Sequence, residues 1–148
     1  MKEGMKQNQF VRLLDEARIV QAIAAAELLS AGEVRLFVTR HKPADVLRAA
    51  EWQFTRLGMA KTAERNGVLL FFAPASQQFA IVGDAAIHER CGQDFWHKIR
   101  DGMSEQLKKG LYTEAIVGAI SQVVEMLARH FPRQKNDRNE LPDDIARD

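Results

Sequence analysis

The stretch Glu64-Arg-Asn-Gly-Val-Leu-Leu-Phe-Phe-Ala-Pro-Ala-Ser-Gln-Gln-Phe-Ala-Ile-Val-Gly-Asp84 decides the fold. Val68 to Ala73 is continuously apolar, the pattern of a strand covered on both faces. Pro74-Ala-Ser-Gln supplies a turn, and Phe79 to Val82 runs back as a second strand. A connection that short makes the two strands antiparallel. Asn66-Gly67 reads as a turn that needs positive backbone angles.

Upstream, Glu33 to Thr39 alternates around Val34, Leu36 and Val38, with Phe37 adding bulk, and predicts another strand. Between it and Val68 lies a helical pattern. Pro43 suits its first position, Val46, Leu47, Ala50, Phe54 and Leu57 form its apolar face, and Gly58 closes it. A strand–helix–strand unit of this kind is parallel and right-handed. Further upstream, Gln9 to Ser30 predicts one helix with a stripe at Phe10, Leu13, Leu14, Ala17, Val20, Ala24 and Leu28, stopped at Ala31-Gly32.

Downstream of Asp84 the pattern is helical. A short turn covers Ala85 to Arg90. A helix from Gln93 to Lys109 buries Phe95, Ile99, Met103 and Leu107 and ends at Gly110. A last helix from Glu114 to His130 has its stripe at Ile116, Ile120, Val123, Val124 and Leu127, and Pro132 stops it. The chain therefore predicts an α/β fold, with helices covering both faces of a small mixed sheet. That sheet combines a parallel strand–helix–strand unit with an antiparallel hairpin. Residues 1–132 read as one domain and 133–148 as a polar tail without periodicity, in which Leu141-Pro142 and Ile145 are the points able to dock on the domain or a partner.

A chain of 148 residues is enough for one core. The net charge of +1 argues against nucleic acid or an anionic membrane surface as partner. One cysteine, Cys91, excludes an internal disulfide framework and suits a reducing compartment. The first residues lack the apolar run of a signal peptide. The longest apolar stretch, Ile19 to Ala31, contains Gln21 and Glu27 and is too short to span a bilayer. The expectation is a cytoplasmic protein without direct membrane insertion.

Several catalytic signatures fail on spacing. His88, Cys91 and His97 offer three loosely placed ligands where a closed zinc site uses four. Ser76 lacks the glycine-flanked elbow of a hydrolase nucleophile. Arg65-Asn66-Gly67 precedes a strand, whereas a glycine-rich phosphate loop precedes a helix.

An ordered set of motifs resembles the TPM domain family, in its short, soluble bacterial branch. The set comprises Phe54-x-x-Leu57-Gly58-Met59-x-x-Thr62-x-x-Arg65-Asn66-Gly67-Val68-Leu69, Phe79-Ala-Ile-Val-Gly-Asp84, Gly92-Gln-Asp-Phe-Trp96 and Asn139-Glu-Leu-Pro142. The resemblance covers nearly the whole chain and implies a three-layer α/β/α sandwich. It also implies metal binding in some members, an acid phosphatase of photosystem repair in a thylakoid branch, and membrane-associated protein partners for soluble members. The chain departs from the pattern at the hairpin turn. Many relatives carry an Asp-Asp pair there, and this sequence has Ala75, Ser76 and Gln77.

The predicted topology gathers Glu33, Arg65-Asn66 and Asp84 at one margin of the sheet. Two converging carboxylates there suit a hard cation, calcium or magnesium, through oxygen ligands. Asp94 is a candidate third ligand. Asp101, two turns further along the same helix, matches an often acidic position in relatives. Arg65 is the candidate anion-binding residue or a partner for Asp84. The bland alternatives are that Asp84 caps the next helix and that Asp94 simply favours a helix N-terminus. The expected function is a soluble TPM-like binding or regulatory module, weakly dependent on a divalent cation and working with a membrane-associated protein. The alternative is a metal-dependent acid phosphatase.

Overall fold

The computed structural model describes residues 4–61, 66–132 and 145–148. Its elements run α1 (Gln7–Leu13), α2 (Glu16–Leu29), β1 (Glu33–Val38), α3 (Val46–Arg56), β2 (Gly67–Ala73), β3 (Gln78–Gly83), α4 (Ala85–Cys91), α5 (Gln93–Lys108), α6 (Tyr112–His130) and β4 (Ala146–Arg147). The sheet order is β3-β2-β1-β4. β1 is parallel to β2 and to β4, and β3 is antiparallel to β2, so the predicted parallel unit and hairpin are both present.

Strand alternation sorts the core onto the two faces of the sheet. Val34, Leu36 and Val38 of β1 and Val68, Leu70 and Phe72 of β2 join the larger cluster with Ile19 and Ile23 of α2, Ile99 of α5 and Ile116 and Ile120 of α6. Phe37, Leu69, Phe71 and Ala73 join the smaller cluster with Ala50 and Phe54 of α3 and with Met59. β2 is buried along its whole length, because both its faces are covered. This is the α/β/α sandwich, with α3 on one side and the other long helices on the other.

The structure revises several local expectations. The predicted first helix breaks in two, because Asp15 caps α2 by accepting the Arg18 N–H at 3.2 Å while its own N–H donates to Thr113 Oγ1 at 3.0 Å. The break resets the helical phase, so the buried face of α2 is Ile19, Ile23 and Ala26, and Leu13 and Leu28 of the predicted stripe are exposed. Pro43 precedes α3 without entering it. Asp45 is the N-cap, accepting from the Arg48 N–H, and Leu47 is exposed. Asn66-Gly67 does not adopt positive angles; Gly67 is the first residue of β2.

The predicted turn at Ala85 is the helix α4, and β4 was not expected at all. Gly58 and Gly110, both at positive φ, do stop their helices. At the hairpin, Pro74–Ser76 form a single 3-10 turn and Gln77 takes the left-handed conformation at φ 53°.

Candidate functional site

β1 begins, β2 begins and β3 ends at the same end of the sheet, as the topology requires. Glu33 is registered with Gly67, Val68 with Gly83, and the Asp84 N–H donates to the Gly67 carbonyl at 2.9 Å. Glu33, Gly67 and Asp84 therefore form one row across three strands. The alternation that puts Leu69 and Phe71 on the α3 face puts this row on that face too. Both carboxylates are withdrawn from solvent, Glu33 at 3% exposure and Asp84 at 7%.

The residue between them is a glycine, so no side chain of β2 separates them. Met59 approaches from above. Its Cε and its carbonyl oxygen each lie 3.4 Å from where a Cβ on Gly67 would sit. Asn66, 1% exposed, adds a buried amide at the same end. The arrangement thus gathers two carboxylates and a backbone carbonyl oxygen, all hard donors of the kind calcium and magnesium take. The backbones of Glu33 and Asp84 stand two strand spacings apart, roughly 10 Å. That is within the combined reach of the two side chains and metal–oxygen bonds of about 2.4 Å.

Asp84 has a second task. Its Oδ1 accepts the Ala85 N–H at 2.7 Å, and it is the N-cap of α4. Capping occupies one of its two carboxylate oxygens. Arg35 lies two residues beyond Glu33 on the same face of β1.

The other candidates fall elsewhere. Asp94, in the first turn of α5, and Asp101, further along it, are both exposed. Among the described residues no group of three His, Cys, Asp or Glu side chains is placed to hold a metal ion, so neither joins Glu33 and Asp84, and His88, Cys91 and His97 form no zinc site. His97 instead meets the Arg100 guanidinium through Nδ1 at 2.9 Å, and His88 packs against Trp96. Arg65 lies outside the described residues.

Cys91 is half-buried, and burial pushes its thiol pKa above the ordinary value. A higher pKa means less thiolate at a given pH, and the thiolate is the reactive form. Iodoacetamide at pH 7.5 is expected to label Cys91 several-fold more slowly than free cysteine, with labelling of the folded protein leaving its melting temperature in calcium unchanged. Labelling as fast as free cysteine, measured by mass spectrometry, would contradict this placement.

A polar cluster that the sequence did not signal sits at the opposite end of β1. The Asp148 carboxylate accepts from Gln7 Nε2 at 3.0 Å, from the Arg40 N–H at 2.9 Å and from Thr39 Oγ1, with His41 Nε2 at 3.7 Å. No periodicity or motif marks these five residues, which are up to 141 positions apart.

The geometry agrees with the comparisons. The chain is similar to the BA42 protein of the psychrophilic bacterium Bizionia argentinensis, known from an NMR structure. The two are 34% identical, the match covers 90% of this chain and 92% of the other, and the TM-score is 0.83. The fold also matches the N-terminal domain of a protein from P. gingivalis, at 16% identity and a TM-score of 0.60, over 91% of this chain and all of that domain. No curated protein matches the sequence. The family model of the TPM domain matches residues 5–126, which span β1, β2, β3 and the Glu33–Gly67–Asp84 row. The chain belongs to the TPM domain family.

Proposed function

We propose that this chain is a TPM-type binding or regulatory module whose Glu33–Gly67–Asp84 row takes calcium or magnesium weakly. The binding state of that row would be read by a membrane-associated protein partner, as the family resemblance implies. One observation carries the cation reading: two carboxylates, each more than nine-tenths buried, stand in one row across a glycine. Carboxylate oxygens are the hard donors that calcium and magnesium take, and one divalent ion can bridge two of them. The site is weak because affinity for calcium follows ligand charge and rigidity, and the turn residues Ala75, Ser76 and Gln77 contribute no carboxylate. A phosphatase needs in addition a donor for the phosphoryl oxygens beside the ion. Arg65, the residue assigned that task, lies outside the described residues, and no other observation favours that reading.

Thermal unfolding with and without calcium tests the proposal. A ligand that binds only the folded state stabilises it with the logarithm of saturation, so ten-fold excess over Kd raises the melting temperature by about 3–5 °C. Asp84→Asn should abolish the shift while keeping the helix cap, since Asn caps nearly as well as Asp. No shift in the parent, or an undiminished shift in the variant, would remove the cation from the function.

A further inference from the structure

We propose that the outer flank of β1 is a docking slot for an extended peptide. Residues Ile145–Asp148 fill it within the chain, and a partner segment of the same pattern fits it: an aliphatic residue, a small residue, any residue, then aspartate. Each position of that pattern meets a separate feature. Ile145 enters the larger core cluster, whereas Ala146 packs against the smaller cluster on the other face of the sheet. Ala146 and Arg147 pair in parallel with Phe37 and Val38.

Asp148 then enters the socket formed by Gln7, Thr39, Arg40 and His41. Gln7 is anchored independently of Asp148. It is 9% exposed, and its Nε2 also donates to the Val38 carbonyl at 2.8 Å, so α1 holds the amide at the end of β1. Beside Asp148 a cavity of about 170 Å³, walled by Trp52, Pro43, Ala49 and Phe71, extends the slot by one apolar side chain. Trp52 is 59% exposed at its mouth.

These are the components of peptide recognition by strand addition: main-chain hydrogen bonds supply affinity, and alternating side-chain pockets supply specificity. A sheet edge is a template for any chain that can pair with it. Among the described residues the cis segment holds two ladder positions against six between β1 and β2, so it opens by local unfolding far more often than the central strands do.

The test uses the full chain carrying Ile145→Ser and Asp148→Ala, which unseats the internal segment. The probe is a fluorescein-labelled synthetic peptide with the sequence of residues 143–148, followed by fluorescence anisotropy. The variant is expected to bind the peptide saturably. The parent should bind it at least about ten-fold more weakly, because its tethered segment competes at high effective concentration. Replacing the peptide's final Asp by Asn should weaken binding about ten-fold through lost charge-assisted hydrogen bonds. Absence of binding to a variant that circular dichroism shows to be folded, or equal binding to variant and parent, overturns the proposal.

A second measurement needs no variant. In the parent, whichever of the Ala146 and Arg147 amides points toward β1 should exchange at least about 100-fold faster than those of Leu69 and Leu70. Equal rates would mean that the segment leaves β1 only when the whole domain unfolds, and would overturn the proposal as well.

Discussion

Phe71→Ala lowers the melting temperature by about 10–15 °C, the expected result of a loss of about 3–5 kcal/mol at roughly 3 °C per kcal/mol for a chain of this size. Phe71 lies in the middle of β2, is 2% exposed, and stacks on Phe37 of β1 with ring centroids 5.7 Å apart and planes parallel within 1°. The pair fills the space between the sheet and α3, where Ala50 and Phe54 are its neighbours. Two features keep that layer from collapsing into the void. α3 is tied at its start by the Asp45 cap and at its end by Gly58, and the sheet beneath is held by ladders on both sides of β2. Circular dichroism melting measures the loss. A fall of only a few degrees would show that α3 settles onto the sheet when the ring is removed.

Gly83→Ala is expected to cost about 1–3 kcal/mol, because it forces an atom into a packed wall. A Cβ on Gly83 would lie 2.7 Å from Cζ2 and 3.1 Å from Cη2 of Trp96, and 3.4 Å from Cγ2 of Ile87. Trp96 is 6% exposed and is hemmed by His88 and Phe95, so the indole cannot swing away as a flexible side chain would. The methyl group therefore pushes α5 away from the end of β3, next to Asp84. The chain has two tryptophans, and Trp52 is the exposed one. In a Trp52→Phe background the displaced Trp96 should report the change as a red-shifted emission maximum. Gly102→Ala is the control of opposite sign. A Cβ there meets nothing within 4 Å, and alanine favours the interior of α5 by about 0.5–1 kcal/mol. If Gly83→Ala were as harmless as Gly102→Ala, the close packing of Trp96 on β3 would be excluded.

Much of the fold was legible because it is written in local pattern. The unbroken apolar run of β2 demanded cover on both faces, and the structure supplies Leu70 and Phe72 to one cluster and Leu69 and Phe71 to the other. The stripe of α6 was readable residue by residue, since Ile116, Ile120, Val123, Val124 and Leu127 are all buried. The lengths of the two connections set the strand directions, and those directions brought Glu33 and Asp84 to one end of the sheet. α2 was less legible: it is apolar around most of its circumference, so periodicity could not choose between Leu28 and Ile23 as the buried side. Only the cap at Asp15 and the packing on α6 set its phase.

The sequence by itself determined the layers, the strand directions and the presence of two carboxylates at one margin, because each follows from spacing along the chain. The tertiary structure decided which carboxylates share a row, which stay in solvent, and where Ile145–Asp148 lies. The row depends on register, which aligns residues from three strands, and Asp94 and Asp101 are excluded by the direction in which α5 packs. β4 has no signature of its own. A two-residue strand makes too few contacts to require a pattern, and it is held by the β1 edge and by Gln7, Thr39 and Arg40, more than a hundred positions away. Such a contact exists only once β1 and α1 have been assembled, so no local stretch of the sequence could announce it.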